Sequence, residues 1–214
     1  RWILLFSFFF FLMIRRPPRS TIFPYTTLIR YEYDYRFRYL KNIMGLWIIQ
    51  SVRHEFGDRY TFAELCKEAE ETDYITSRID VNNKCFLAPE NMTEAIKSYC
   101  NNNDLIIPDT AGEIAAVVYK SLADSYADTV MQIEKNLDIT YDAIYVIGGG
   151  ANAGYLNQLT ADSTGKTVVA GPAEATAIGN IMAQMIADSV FKNLKEARAC
   201  VRDSFDIKRF EQKR

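Results

Sequence analysis

Apolar residues recur at intervals of three and four along most of this chain, which is the spacing of helices with one buried face. The pattern predicts helices at residues 39–55, 62–70, 89–100, 110–136, 153–161 and 191–201. Short β-branched and aromatic runs predict strands at residues 144–147 and 166–170. Strands that alternate with helices in this way predict an α/β domain.

The longest predicted helix has the clearest beginning. Thr110 is followed three residues later by Glu113, a pairing that forms a capping box at a helix N-terminus. Six apolar residues then recur along one face of the helix, and we expect them in the core rather than at a ligand. They are Ile114, Val117, Val118, Leu122, Tyr126 and Val130.

Residues 148–152, called the glycine turn below, separate the strand at residues 144–147 from the next helix. Because Gly148, Gly149 and Gly150 carry no Cβ, backbone N–H groups can approach a ligand at the positive end of that helix. The glycine turn is therefore predicted to bind a nucleotide, although its spacing matches neither GxGxxG nor a Walker loop. The alternative is a tight turn that only connects strand to helix.

A second glycine-containing turn follows at Gly171. Pro172 suits the first turn of a helix, and Glu174 suits the positive end of that helix. Small residues give the helix a thin side, which predicts close packing and requires no ligand. They are Ala175, Ala177, Gly179 and Ala183.

Four segments together resemble the C-terminal domain of the FGGY family of carbohydrate kinases. They lie at residues 39–47, 86–92, 112–113 with 121–123, and 148–162, within a resemblance that extends from about residue 35 to residue 207. The last segment carries the family's glycine motif, and the first is more specific to kinases that act on L-rhamnulose. The resemblance implies an α/β domain with the actin-like ATPase (ribonuclease H-like) fold, forming the C-terminal half of a two-domain sugar kinase.

The same resemblance implies the residues of a site. The positions that would contact ATP are Gln50, Gly148, Gly149, Gly150 and Asn152. Asn42 matches a family position that contacts the sugar. Asn42 and Gln50 are both on the predicted helix at residues 39–55, about two turns apart, so they should share one face. By pattern alone, both amides are ordinary polar helix positions.

The implied activity is transfer of the γ-phosphoryl group of ATP, with Mg²⁺, to the C1 hydroxyl of L-rhamnulose. Related kinases for xylulose, fuculose or glycerol share the glycine motif, and a non-catalytic nucleotide-binding module is the other alternative. The family's catalytic base is an aspartate that precedes the matching segment. Asp34 does not lie in that motif, so no catalytic residue is assigned. We expect an N-terminal partner domain to be missing, and these residues alone to be inactive.

The first thirty residues differ in composition from the rest. Residues 1–14 are nearly all apolar and a basic stretch follows at residues 15–19, the reverse of the charge order in a signal peptide. The apolar run also falls short of the roughly 17 to 25 residues that span a bilayer. Residues 13–30 resemble the in-frame translation of a common sequencing adapter. We therefore expect residues 1–30 to be non-native and residues 31–214 to form the kinase domain, with a membrane anchor as the alternative.

The composition fits a folded cytoplasmic domain, and the small-molecule sugar substrate is implied by the resemblance alone. A net charge of −2 gives no electrostatic case for a nucleic-acid partner. The four cysteines have neither a CxxC pair nor metal-ligand spacing, and such scattered thiols indicate a reducing compartment. The single histidine, His54, is predicted to face solvent, and it leaves no partner for a Ser-His-Asp arrangement or a histidine-rich zinc site.

Overall fold

The computed structural model describes residues 2–6, 9–14, 27–32, 36–43, 45–72 and 74–213, with side chains from residue 43 onward. The strands in these ranges are β1 (Trp2–Phe6), β2 (Phe9–Ile14), β3 (Thr27–Glu32), β4 (Arg36–Asn42), β5 (Ala143–Ile147), β6 (Thr167–Ala170) and β7 (Lys208–Phe210). They form one mixed sheet in the order β3–β4–β2–β1–β5–β6–β7. β5 is parallel to β1 and β6, whereas the other neighbours pair antiparallel.

Helices cover part of this sheet. They are α1 (Trp47–Glu55), α2 (Phe62–Glu71), α3 (Met92–Asn102), α4 (Ala111–Leu137), α5 (Gly154–Thr164), α6 (Ala175–Ala187) and α7 (Leu194–Ser204), with 3₁₀ turns at Lys84–Phe86 and Gly148–Asn152. The long α4 packs against α1, α2 and α5. The buried core therefore joins α1–α5 to β5 and β6. No helix among the described residues is both long and apolar enough to cross a membrane.

The capping box and core face predicted for α4 are confirmed. The hydroxyl of Thr110 accepts a hydrogen bond from the Glu113 N–H at 3.2 Å, and the Glu113 carboxylate accepts one from the Thr110 N–H at 3.1 Å. All six apolar residues expected in the core are buried. The helix therefore forms where local capping and side-chain periodicity agree.

The single helix predicted at residues 39–55 is wrong in its first half. Residues through Asn42 belong to β4, and α1 begins at Trp47 after Leu46. Residues 31–39 alternate aromatic and charged side chains, which is the period of a strand, and this pattern prevails over the helical spacing further along. Asn42 and Gln50 consequently do not share a helix face.

Two predicted helix starts are also corrected. Pro89 precedes α3, which begins at Met92, because the Asn91 side chain accepts from the Glu94 N–H at 2.8 Å and sets the cap. Pro172 lies before α6 rather than in its first turn, although Glu174 is the N-cap residue as its charge suggested. In both places a proline marks the approach to a helix and not its first residue.

The close packing expected around the small residues of α6 is wrong for this part of the structure. Gly179 and Ala183 are exposed, and a Cβ added to Gly179 would meet nothing within 4 Å. Instead a groove of about 930 Å³ lies between α6, α7 and the sheet. After α7 the chain returns to the sheet, where β7 pairs antiparallel with β6.

The described parts of residues 1–30, for which no place in the domain was predicted, enter the sheet as β1, β2 and the start of β3. β1 pairs in parallel with β5, and β2 lies between β1 and β4. A parallel strand such as β5 exposes unpaired backbone groups unless another strand covers its edge, and the apolar segment provides that cover here. Residues 15–26 lie outside the described part of the chain.

Candidate nucleotide site

The glycine turn leaves the carboxyl end of β5 as a short 3₁₀ turn and leads directly into α5. Gly148 has a φ of +78°, a conformation that side-chain-bearing residues adopt at a cost. Gly149 and Gly150 have no such backbone requirement. The chain thus turns at Gly148, and the other two glycines must be explained by the space around them.

That space differs between Gly149 and Gly150. A Cβ added to Gly149 would meet no atom within 4 Å, so this side of the turn is open. A Cβ added to Gly150 would meet Leu46 at 3.6 Å and Val146 at 3.5 Å, both ordinary contact distances. Gly149 therefore faces the open side where a ligand can approach, and Gly150 faces the core.

The contact with Leu46 brings the start of α1 to the glycine turn. Gln50 lies one helical turn after Leu46 and donates its backbone N–H to the Leu46 carbonyl at 2.9 Å. Residues four apart share a helix face, so the exposed Gln50 lies on the side of α1 that meets the turn. The predicted contact of Gln50 with ATP stays a prediction.

Asn152 ends the glycine turn and is exposed beside the second glycine-containing turn. A cleft of about 210 Å³ separates the two turns, and its lining includes Asn152, Gly171, Pro172, Asp206 and Lys208. The cleft lies at the carboxyl ends of the parallel strands β5 and β6, where open α/β sheets commonly bind ligands. Sequence analysis predicted both turns but not the C-terminal segment that closes the cleft.

Asn42 is the last residue of β4, and its Cα pairs with that of Phe9 across the sheet. Its side chain lies outside the described part of the structure. The predicted sugar-binding role of Asn42 therefore stays a prediction.

Asn157 is a polar residue of the site that sequence analysis did not assign. Its side chain is 2% exposed, and its Nδ2 donates to the carbonyl oxygens of Gly150 at 3.2 Å and Ala151 at 3.3 Å. The available signal was a single amide on the inner face of α5, beside the buried Leu156 and Ala161. An amide in that position predicts a hydrogen-bonding partner inside the protein.

An uncharged pair of tyrosines packs α5 against α4. Tyr119 of α4 meets Tyr155 edge to face, with ring centroids 6.1 Å apart. The Cys66 thiol donates to the Tyr119 hydroxyl at 3.4 Å. Burial raises the pKa of Tyr119 well above its usual range, and burial likewise raises the pKa of the Cys66 thiol. Both groups therefore remain uncharged and hold α5 by packing.

Other polar candidates lie away from the glycine turn. His54 is exposed, as predicted, and its Nδ1 is 3.1 Å from an Asp58 carboxylate oxygen. Across the described ranges, no three His, Cys, Asp or Glu side chains are grouped closely enough to hold a metal. The four cysteines are free thiols, two of them buried.

A glycine turn at the carboxyl end of a parallel strand, followed by a helix, is an arrangement with which α/β domains can bind phosphate-bearing ligands. The model of the FGGY family of carbohydrate kinases, C-terminal domain, matches residues 7–187. The chain therefore belongs to the FGGY family of carbohydrate kinases.

Two relatives narrow the comparison within that family. A rhamnulokinase of Oceanobacillus iheyensis is 48% identical over 174 residues, which cover 81% of this chain and 37% of the relative. A rhamnulokinase of Bacillus subtilis is 47% identical over 176 residues, covering 82% of this chain and 36% of the relative. The chain thus spans little more than a third of the length of these curated relatives.

Solved structures share the fold. Plasmodium falciparum glycerol kinase with ADP superposes with a TM-score of 0.65 at 13% identity, over 99% of this chain and 42% of that one. A ligand-bound xylulose kinase from Lactobacillus acidophilus superposes with a TM-score of 0.61, also at 13% identity, over 99% of this chain and 42% of that one. These likenesses extend to the architecture alone.

Proposed function

We propose that this chain is the nucleotide-binding part of an ATP-dependent kinase that phosphorylates L-rhamnulose at its C1 hydroxyl. The observation that carries the proposal is the open glycine turn, in a chain nearly half identical to proteins named rhamnulokinase. The glycine turn supports the nucleotide, and the relatives support the sugar.

A physical argument supports the assignment of each residue to the proposed site. Gly149 offers room for the adenosine because no atom lies near its missing side chain. Gly148 and Gly150 shape the turn on either side of it, and Asn152 and Gln50 contribute exposed amides that can both donate and accept hydrogen bonds. Asn42 is proposed to bind a sugar hydroxyl in the same manner.

The chemistry requires groups beyond this list. Mg²⁺ bound with ATP would neutralise the phosphate charge that develops during transfer. A base must accept the proton of the sugar hydroxyl. We propose that an aspartate of the polypeptide outside these 214 residues provides the base, and that a second domain closes over the sugar and excludes water.

The first experiment compares two glycines with equally open surroundings. Gly149→Val and Gly179→Val each place a branched side chain where a Cβ meets nothing within 4 Å. Gly149→Val should raise the ATP dissociation constant at least about tenfold, because the side chain occupies the space proposed for adenosine. Isothermal titration calorimetry on both variants measures this.

The control must keep the affinity of the unmodified chain, because Gly179 lies on α6 and away from the glycine turn. Unchanged ATP affinity in a folded Gly149→Val variant would mean that the turn is structural and that the nucleotide binds elsewhere.

The sugar assignment needs an intact enzyme. The upstream half of a rhamnulokinase relative, joined before residue 35, should give ATP-dependent phosphorylation of L-rhamnulose, whereas the present chain alone should give none. In that fusion Asn42→Ala should raise the KM for the sugar more than the KM for ATP. Preference for xylulose or glycerol would retain the kinase class and reject the substrate. Binding of ATP without any phosphorylation would favour a non-catalytic module.

We further propose that residues 1–30 derive from a sequencing adapter and that the native protein is cytoplasmic. The free thiols of all four cysteines support a reducing compartment. Genomic DNA read across the codons for residues 1–40 from an independent clone tests the first proposal. Recovery of the same thirty residues from that clone would show that the segment, with its strands β1 to β3, is native.

A further inference from the structure

Asn157 lies on the face of α5 that contacts the glycine turn, and its side chain hydrogen-bonds the backbone of that turn. Its two Nδ2 hydrogens are directed at successive carbonyl oxygens, those of Gly150 and Ala151. Gly150 also accepts from the Ala153 N–H at 3.1 Å, so the same carbonyl is held by two donors. One buried side chain therefore fixes two consecutive peptide groups of the turn.

The planarity of the peptide bond gives this contact a directional consequence. In a trans peptide the N–H points opposite to the C=O of the same unit. Holding the Gly150 and Ala151 carbonyls towards α5 consequently turns the N–H groups of Ala151 and Asn152 back into the 3₁₀ turn, towards the carbonyls three residues earlier. The contact with Asn157 therefore helps to keep the turn closed, with Asn152 exposed next to the cleft between the two turns.

The energetics favour a specific role for an amide here. A buried amide without partners destabilises a protein, so Asn157 is retained only where its hydrogen bonds are made. An aspartate of the same shape would face two carbonyl oxygens with acceptor atoms. A leucine of similar size would fill the volume and remove the side-chain donor from both carbonyls, leaving Gly150 with the Ala153 N–H alone.

We propose that Asn157 is a positioning residue for nucleotide binding, which holds the glycine turn against α5 and so keeps the open side of Gly149 in place for the adenosine part of ATP. The assignment rests on the proposed function. Asn157 does not touch the nucleotide, and it acts through the peptide groups of Gly150 and Ala151.

Thr160 provides a matched control on the same helix. It is 1% exposed, and its hydroxyl donates to the Leu156 carbonyl within α5 at 2.7 Å. Thr160→Val therefore removes a buried polar group of α5 at nearly constant shape without touching the glycine turn. Asn157→Leu removes the two donors without adding a charge, and Asn157→Asp removes them and adds a negative charge.

The test measures ATP and ADP affinity by displacement of a fluorescent trinitrophenyl-ATP, together with thermal unfolding, for the 214-residue chain and the three variants. Asn157→Leu and Asn157→Asp should bind both nucleotides about tenfold more weakly, by equal factors, because adenosine is common to ATP and ADP. Thr160→Val should bind like the unmodified chain, even where its melting temperature falls.

Four results would overturn the assignment, each for its own reason. Folded Asn157 variants with unchanged affinity would show that the contact does not matter for binding. An equal loss in Thr160→Val would show that affinity only follows stability. Asn157 variants that fail to fold beside a folded Thr160→Val would make Asn157 a folding residue. Failure of the unmodified chain to bind either nucleotide would refute the proposed function itself, and the assignment with it.

Discussion

The helices α4 and α6 are both rich in apolar residues, yet the structure treats them in opposite ways. α4 buries residues along most of its length against α1, α2 and α5. Within α6, which lies wholly in the described part of the chain, Ile178 alone is buried, although the helix has no charged side chain. Apolar content thus measures how much surface a helix could bury, and its neighbours decide how much it does.

The two helices also differ in their relation to the candidate site, since α4 supports the site and α6 lies beside it. α4 carries Tyr119, which packs on Tyr155 of α5 and so holds the helix that follows the glycine turn. α6 follows the second turn and borders the open groove of about 930 Å³. The glycine turn is therefore anchored on its α4 side and exposed on the side of its proposed ligand.

The largest expected effect comes from equal truncations on the two helices. Leu122→Ala in α4 should lower the free energy of unfolding by about 2–5 kcal/mol, because the Leu122 side chain is fully buried and its loss leaves a cavity. Ile181→Ala in α6, at 53% exposure, should change it by less than about 0.5 kcal/mol. Urea unfolding of both variants measures the difference. Equal losses would mean that α6 is covered in solution, for instance by self-association, and concentration-dependent unfolding would then reveal it.

This comparison explains how much of the fold the sequence could predict. The capping box at Thr110 and the core face of α4 follow from local chemistry and periodicity, and both were correct. The end of β4 and the start of α1 were not predicted, because residues 39–55 fit helical spacing while only residues 31–39 alternate. Short windows with two competing periods are decided by tertiary pairing, here with β2 and β3.

Some features of the candidate site could also be predicted from the sequence, and others could not. The glycine turn was predictable because three successive glycines after a strand have few structural explanations. The ATP-binding role of Gln50 was expected from family resemblance alone and stays a prediction, although Leu46, one helical turn before Gln50, lies close to Gly150. The role of Asn157 was not predictable, since a buried amide shows its partners only once the turn is folded onto α5.

Substitutions at the N-caps of α4 and α6 should have a smaller effect on the free energy of unfolding than the core truncation. Thr110→Ala at the N-cap of α4 should lower the free energy of unfolding by about 1 kcal/mol, because it leaves the Glu113 N–H without its acceptor. Glu174→Ala at the N-cap of α6 should have little effect, since the Glu174 side chain makes no cap hydrogen bond. Thermal unfolding at pH 7 compares the two. Similar losses would show that the caps of both helices contribute, and that the contrast between α4 and α6 is confined to burial.

The smallest expected effect is a pH dependence of the unfolding free energy that arises from Glu113 at the N-cap of α4. Hydrogen bonds from the Tyr74 hydroxyl and from the Asp109 and Thr110 N–H groups lower the pKa of Glu113 below its ordinary value of 4.5. A carboxyl whose pKa is lower in the folded state adds stability above its unfolded pKa and loses that stability as the pH falls through its folded pKa. Because the group is near the surface, its contribution should be roughly a few tenths of a kcal/mol.

Glu113→Gln should therefore narrow the difference in unfolding free energy between pH 6 and pH 3, because the glutamine does not titrate. Glu174→Gln on α6 is the matched control and should leave that difference almost unchanged, since its side chain holds no N–H at the cap. Urea unfolding at a series of pH values gives both comparisons. An acid sensitivity that Glu113→Gln leaves intact would place the responsible carboxylates elsewhere, and the α4 cap would then contribute hydrogen bonds without contributing charge.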